Sequence, residues 1–174
     1  MRKHLRSFIR NIIFESFKEQ EEIHIAPAEE FKDALLNIAT LDLEDDQVRY
    51  PNTQNRKEKF LFGGNDYYLF ILDRTQLPES GPFELLIEND DDDVIGFVRG
   101  TKLNKTISFN LIHIKEDYRG KGIGTDIYEK FLNDGFIIKS DTEITDDTYS
   151  MYDRLLKYGY NPIVYNDGRV GLVK

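Results

Sequence analysis

Seven consecutive residues, Arg119-Gly120-Lys121-Gly122-Ile123-Gly124-Thr125, combine two cations with three glycines. Glycine lacks a Cβ, so its backbone can turn through positive φ and approach a ligand closely. Before this run, Ile107 to Ile114 is rich in apolar residues and reads as a strand; after it, Ile127, Tyr128, Phe131 and Leu132 recur at helical spacing. A strand, a glycine-rich turn and a helix in that order make an anion site. The N–H groups of a helix's first turn have no intrahelical acceptor, and the helix dipole favours negative charge beside them. Arg119 and Lys121 add cationic side chains.

Three phosphate-binding patterns compete for the run. A dinucleotide fingerprint wants glycine at its first, third and sixth positions, and the sixth position counted from Gly120 is Thr125. A Walker A loop wants Gly-Lys followed by Ser or Thr, and here Gly122 follows Lys121. The third pattern, Arg/Gln-x-x-Gly-x-Gly/Ala, is satisfied in full by Arg119, Gly122 and Gly124. With the preceding strand and the phrase DYRGKGIG, the segment resembles the pyrophosphate loop of the GCN5-related N-acetyltransferase (GNAT) superfamily. A plain glycine-rich strand-to-helix turn without a ligand is the competing explanation.

The resemblance extends over residues 22–174 in the order and type of elements. It implies an α/β fold with a mixed, mostly antiparallel sheet, in which a splayed parallel strand pair flanked by helices holds acetyl-CoA as cosubstrate. Pantetheine would pair with the backbone around Ile112, His113 and Ile114 like an added strand. The diphosphate would lie on the N–H groups from Arg119 through Gly120, Lys121, Gly122, Ile123 and Gly124 to Thr125. The implied activity is acetyl transfer to a primary amine of a small molecule or protein, with a backbone N–H at Ile112 or His113 polarising the thioester carbonyl. A tyrosine acid commonly stands four residues before a Gly-Phe in this family. Here that place is Leu155, and Tyr152, three residues earlier on nearly the same helical face, is the candidate acid. Core packing explains Tyr152 equally well. His113 is the candidate base, since imidazole is the side chain that titrates near neutrality; a hydrogen-bonded core position in the helix layer is its alternative. The glutamate base of some family members falls at Ser108, which leaves deprotonation through water. The displaced tyrosine and absent glutamate also suit a non-catalytic acyl-CoA-binding or structural protein, in the manner of a phage-encoded relative, that keeps the fold.

The whole chain sets the limits. At 174 residues it predicts one domain with a substantial core, 21–174, behind an accessory N-terminal helix, 1–20. The absence of cysteine excludes disulfides, thiolate zinc and a cysteine nucleophile. Only His4, His24 and His113 are present, without the spacing of a helical metal site, so no metal is expected. A net charge of −9 argues against nucleic acid and for a cationic acceptor. No run is long and apolar enough to span a membrane and no secretory leader is evident, which fits a cytoplasmic protein. Oligomeric state is not legible.

Taken in order, residues 1–20 read as an amphipathic helix with a basic start and an acidic end, against its own dipole. Membrane-surface anchoring, docking to another protein and packing on its own domain are its three readings. Glu22–Ile25 reads as a strand. A helix then starts at Pro27 and buries Phe31, Leu35, Ile38 and Ala39. Leu43–Lys59 reads as a flexible or substrate-shaping loop with room for a short helical piece. Asp66–Leu72 is a strand, Pro78-Gly81-Pro82 a break, and Phe83–Glu88 with Val94–Arg99 a hairpin around Asn89-Asp90-Asp91-Asp92-Asp93. The aspartates read as a solvated tip because a calcium loop's glycine and distal glutamate are missing. Gly96 reads as a bulge or close-approach position. Phe136–Lys139 is a strand and Thr145–Tyr158 a helix carrying Tyr149, Tyr152, Leu155 and Leu156 on one face. The hairpin Asn161–Tyr165 and Arg169–Val173 closes the chain.

Overall fold

One strand, β7 (Thr106–Ile114), divides the molecule. The computed structural model describes residues 24–40, 48–51, 58–64, 66–72 and 77–174. The helix expected over residues 1–20 and most of the loop expected between Leu43 and Lys59 lie outside them. In chain order the elements are β1 (His24–Ile25), α1 (Ala28–Leu36), β2 (Ala39–Thr40), β3 (Glu58–Gly63), β4 (Tyr68–Leu72), β5 (Ser80–Glu88), β6 (Val94–Leu103), β7, α2 (Ile123–Asn133), β8 (Ile137–Lys139), β9 (Glu143–Ile144), α3 (Asp146–Lys157), β10 (Asn161–Val164) and β11 (Val170–Val173). A nine-stranded sheet runs β1-β10-β11-β8-β7-β6-β5-β4-β3. Every neighbouring pair in it is antiparallel except β7 and β8. This is the mixed, mostly antiparallel α/β fold expected, and β2 with β9 adds a short parallel pair beside it.

The parallel pair is short. It joins Thr106 to Ile137, Ile107 to Ile138 and Ser108 to Lys139, and stops there. Strand β7 meanwhile stays paired with β6 along its whole length, from Leu103↔Thr106 to Gly96↔Ile114. Its register shifts once, because Phe109 faces Gly100 and Leu111 faces Arg99, so Asn110 is an extra residue. A bulge of this kind bends a strand and sharpens its twist. Past it β7 and β8 diverge, and the amide of Asn110 spans the gap by donating to Asp141 Oδ2 at 2.9 Å. Gly96 works as its sequence context predicts. The β5–β6 register shifts beside it, and a Cβ there would collide with the carbonyl oxygen of His113.

Alternation along the strands sends one set of residues toward the helices. Leu69, Leu85, Ile107, Ile138 and Leu172 form one cluster with Phe31 and Leu35 of α1, Ile127 and Phe131 of α2, and Tyr152 and Leu155 of α3. Residues of the other parity, Leu72, Leu86 and Phe97, make a smaller cluster with Val48 and Leu111 at its edge. Helix α3 is fixed by its N-cap, where Thr148 N–H donates to Thr145 Oγ1 at 3.2 Å. The elements depart from those the sequence predicts in several places, β6 for one running on to Leu103. Ala39 is exposed in β2 rather than buried on α1, because Asn37 already caps that helix. Gly81 and Pro82 lie within β5, Gly81 at φ 113, rather than breaking the chain before it. Strand β3 occupies residues with no clear alternation.

Candidate functional site

Where the sheet parts, β7, the glycine-rich loop, α2 and α3 enclose a cavity of about 780 Å³. Its walls are Leu111–Ile114 on β7, the loop residues Tyr118–Gly120 and Gly122–Thr125, Tyr128 on α2, and residues 145–148, Ser150, Met151 and Arg154 at and along α3.

The loop begins with a 3-10 turn, Glu116–Tyr118, and then turns twice through the left-handed region, at Gly120 (φ 73) and Gly122 (φ 88). Gly122 is the N-cap of α2, and the helix's first hydrogen bond runs from Asp126 N–H to Gly122 O at 2.9 Å. Among the described residues, the N–H groups from Gly120 to Thr125 therefore have no acceptor. Arg119 differs: its N–H donates to Glu116 O at 3.0 Å, and its Nε donates to Ile114 O at 2.7 Å, pinning the end of β7. Lys121 also differs. It is the one residue of Arg119–Thr125 that does not line the cavity, its Nζ standing 4.6 Å above the ring of Tyr118. Tyr118 in turn accepts from Asn89 Nδ2 at 3.1 Å, and Asn89 Oδ1 organises the aspartate tip by accepting from Asp91 and Asp93 N–H. Gly124 has ordinary helical φ, and a Cβ there would meet nothing within 4 Å. Packing therefore does not explain glycine inside a helix at about 1 kcal/mol cost, whereas clearance for a ligand over the free N–H groups does.

The strand supplies the second half. Lys115 N–H donates to Ile95 O at 2.8 Å, and Gly96↔Ile114 and Val98↔Ile112 are opposed pairs. Antiparallel pairing alternates, so the N–H and C=O of Ile112 and Ile114 turn away from β6 into the gap, while those of His113 bond Phe97. Arg119 already holds the Ile114 carbonyl. The imidazole of His113 lies among the smaller cluster rather than in the helix layer. It is buried, with Nε2 2.9 Å from Tyr50 Oη and the rings of Tyr50 and Phe97 at 5.3 and 5.6 Å. It also lines the cavity.

Tyr152 does not reach the cavity. It is fully buried between Phe31 and Tyr128, each ring centroid 5.9 Å away. Its hydroxyl makes no hydrogen bond of good geometry among the described residues, although it lies close enough to Tyr128 for the two hydroxyls to perturb each other. Burial pushes the Tyr152 hydroxyl far above its ordinary pKa, and Tyr128 and Tyr165 push it further. Burial also raises Tyr128, with the neighbouring Tyr152 hydroxyl pulling weakly down. Tyr128, one turn after Gly124, does line the cavity. The sequence reading passed over Tyr128, Tyr50 and Arg154. The first is hidden in the apolar stripe of α2 and the second in an aperiodic loop. Arg154 was legible as the end of an Asp147-Ser150-Arg154 polar stripe at helical spacing.

A sequence model described as "Acetyltransferase (GNAT) family" matches residues 38–142. No curated protein sequence matches the chain. Among solved structures, an acetyltransferase of the GNAT family from Staphylococcus aureus Mu50 shares 19% identity, over 55% of this chain and 68% of that one, with a TM-score of 0.38. A GNAT family N-acetyltransferase from Escherichia coli, solved in complex with CoA, shares 20% identity over 45% of each chain, with a TM-score of 0.32. The family match alone spans more than half of the sequence and includes both the parted strand and the glycine-rich loop, so this chain belongs to the GNAT family of acetyltransferases.

Proposed function

We propose that this protein is an acetyl-CoA-dependent N-acetyltransferase acting on a primary amine of a small molecule or protein. One observation carries the reading: a single cavity joins the acceptor-less N–H groups of Gly120–Thr125 to the open edge of β7. A diphosphate fits the first by charge and geometry. The pantetheine amides fit the second as a short added strand, with Ile112 as their free backbone partner. These sites hold the thioester where Ile112 N–H can donate to its carbonyl oxygen as negative charge develops there.

Transfer forms a C–N bond and breaks the C–S bond; the nitrogen loses a proton and the sulfur gains one. We assign the sulfur's proton to Tyr128, the tyrosine of α2 whose side chain meets the cavity. Tyr152, the candidate acid by sequence, stands behind it and packs against its ring, the centroids 5.9 Å apart. His113, held by Tyr50, is the proton acceptor on the amine side. An amine panel incubated with acetyl-CoA, with thiol release followed by a chromogenic disulfide, tests the reading. Amine-dependent release is expected, and His113→Gln flattens the acidic limb of its pH profile. The burial of Tyr152 favours a second reading, a binding protein without turnover. Calorimetric binding of CoA with no release for any amine would establish it.

A further inference from the structure

The cation that the sequence places at the phosphate loop, Lys121, is turned onto Tyr118 and away from the cavity. Its place is taken from across the cleft. Arg154, exposed on α3, lines the cavity and reaches Thr125 in the first turn of α2, Nη1 to Oγ1 at 3.4 Å.

That is an unfavourable place for a guanidinium. The start of α2 is the positive end of its dipole, with six successive N–H groups that have no acceptor. A cation in the last turn of α3 would ordinarily serve its own helix end, and Lys157 stays local, pairing with Asp153 at 2.6 Å. Arg154 leans the other way. Among the described residues no carboxylate lies within ion-pair distance of it. The acid on the same turn of α2, Asp126, accepts from the hydroxyl of Tyr67 at 3.2 Å. Two positive features with no anion between them repel each other, and an anion bound there reverses the sign of that interaction. A guanidinium suits a diphosphate in particular, because its planar fork meets two oxygens at once.

We propose that Arg154 is a direct phosphate contact that closes the coenzyme's diphosphate from the side opposite the loop and thereby selects acyl donors bearing a diphosphate over bare acyl-pantetheine. This rests on the reading of the cavity as a coenzyme A site. On binding, the weak contact to Thr125 gives way to charge-assisted hydrogen bonds with the diphosphate. The acyl carrier is then gripped by two elements, and α3, whose first turn also lines the cavity, is held in register with the bound thioester.

The test is calorimetric titration of the full chain and its Arg154→Gln variant with CoA, 3′-dephospho-CoA and pantetheine, with Lys157→Gln as a matched charge-loss control. Expected are a loss of about 10- to 100-fold for Arg154→Gln toward both CoA and 3′-dephospho-CoA, no change toward pantetheine, and parental affinity in Lys157→Gln. Unchanged CoA affinity in Arg154→Gln would overturn the proposal, as would an equal loss toward pantetheine. A loss confined to CoA would move the contact to the 3′-phosphate and refute the diphosphate assignment. Equal losses in the two variants would reduce the effect to general electrostatics and refute it as well. Failure of the parent protein to bind CoA would instead sink the coenzyme reading itself.

Discussion

Two glycines two residues apart illustrate how differently one residue type can serve a site. Gly122 is required by the fold, since φ 88 at the N-cap costs an L-residue about 1–2 kcal/mol. Gly124 is not: its φ is ordinary and the space beside it is empty. Gly122→Ala should therefore lower stability by about 1–2 kcal/mol and weaken coenzyme binding with it. Gly124→Ala should raise stability by up to about 1 kcal/mol while weakening coenzyme binding, because the new methyl group occupies the ligand's clearance. Denaturant melts and calorimetry on the pair separate the two cases; parallel changes in both variants would contradict the distinction. The tyrosines divide similarly. Tyr128→Phe should cut kcat about 100-fold or more with little change in CoA affinity, as loss of a proton donor does. Tyr152→Phe removes a buried hydroxyl that lacks a good hydrogen bond, so stability should hold or rise by about 1 kcal/mol and kcat should fall much less. Steady-state kinetics of both variants with one amine decides between the two residues.

The elements show what a sequence exposes and what it conceals. Strand β7, helix α2, the β5–β6 hairpin and helix α3 were legible because each has its own periodicity and a physical stop: Gly122 before α2, Gly159 after α3, Asn89 at the hairpin tip. Strands β2 and β9 were not, since two residues each carry no period and their pairing comes from chain segments about a hundred residues apart. The glycine loop was legible from its spacing, but the direction of Lys121 depended on the Tyr118 ring and was hidden. The terminal hairpin carries its own electrostatic prediction. Burial alone would raise Asp167, but hydrogen bonds from the Arg169 side chain and N–H, with Lys139 3.4 Å away, bring it from 3.8 to about 2. A carboxylate with a lowered folded-state pKa stabilises the fold above its unfolded value, and that contribution is lost as pH falls through the folded one. Asp167→Asn should thus cost about 1 kcal/mol at neutral pH, after allowance for solvent screening, with the difference fading between about pH 4 and pH 2. Urea melts across that range would show a constant difference if the carboxylate contributes nothing.

At the scale of the whole molecule, the sheet is two sheets sharing one short seam. Among the described residues, the antiparallel set from β3 to β7 and the set from β8 to β1 pair as strands through three residue pairs, Thr106↔Ile137 to Ser108↔Lys139. The helices bridge what the strands do not, since α1, α2 and α3 share one hydrophobic cluster with both halves. On the proposed reading, a molecule of this design can vary the acceptor side at Tyr50 and His113 without disturbing the phosphate side at the start of α2. The cavity itself traces to one amino acid. If Asn110 were excised, Leu111 would follow Phe109 as Arg99 adjoins Gly100 on β6, and every later side chain of β7 would keep the side of the strand it now has. One missing codon should thus yield a protein that folds with its core unaltered but whose strands run on together past Ser108, shutting out the thioester arm. Retained CoA affinity in that deletion would show that something other than the added residue props the halves apart.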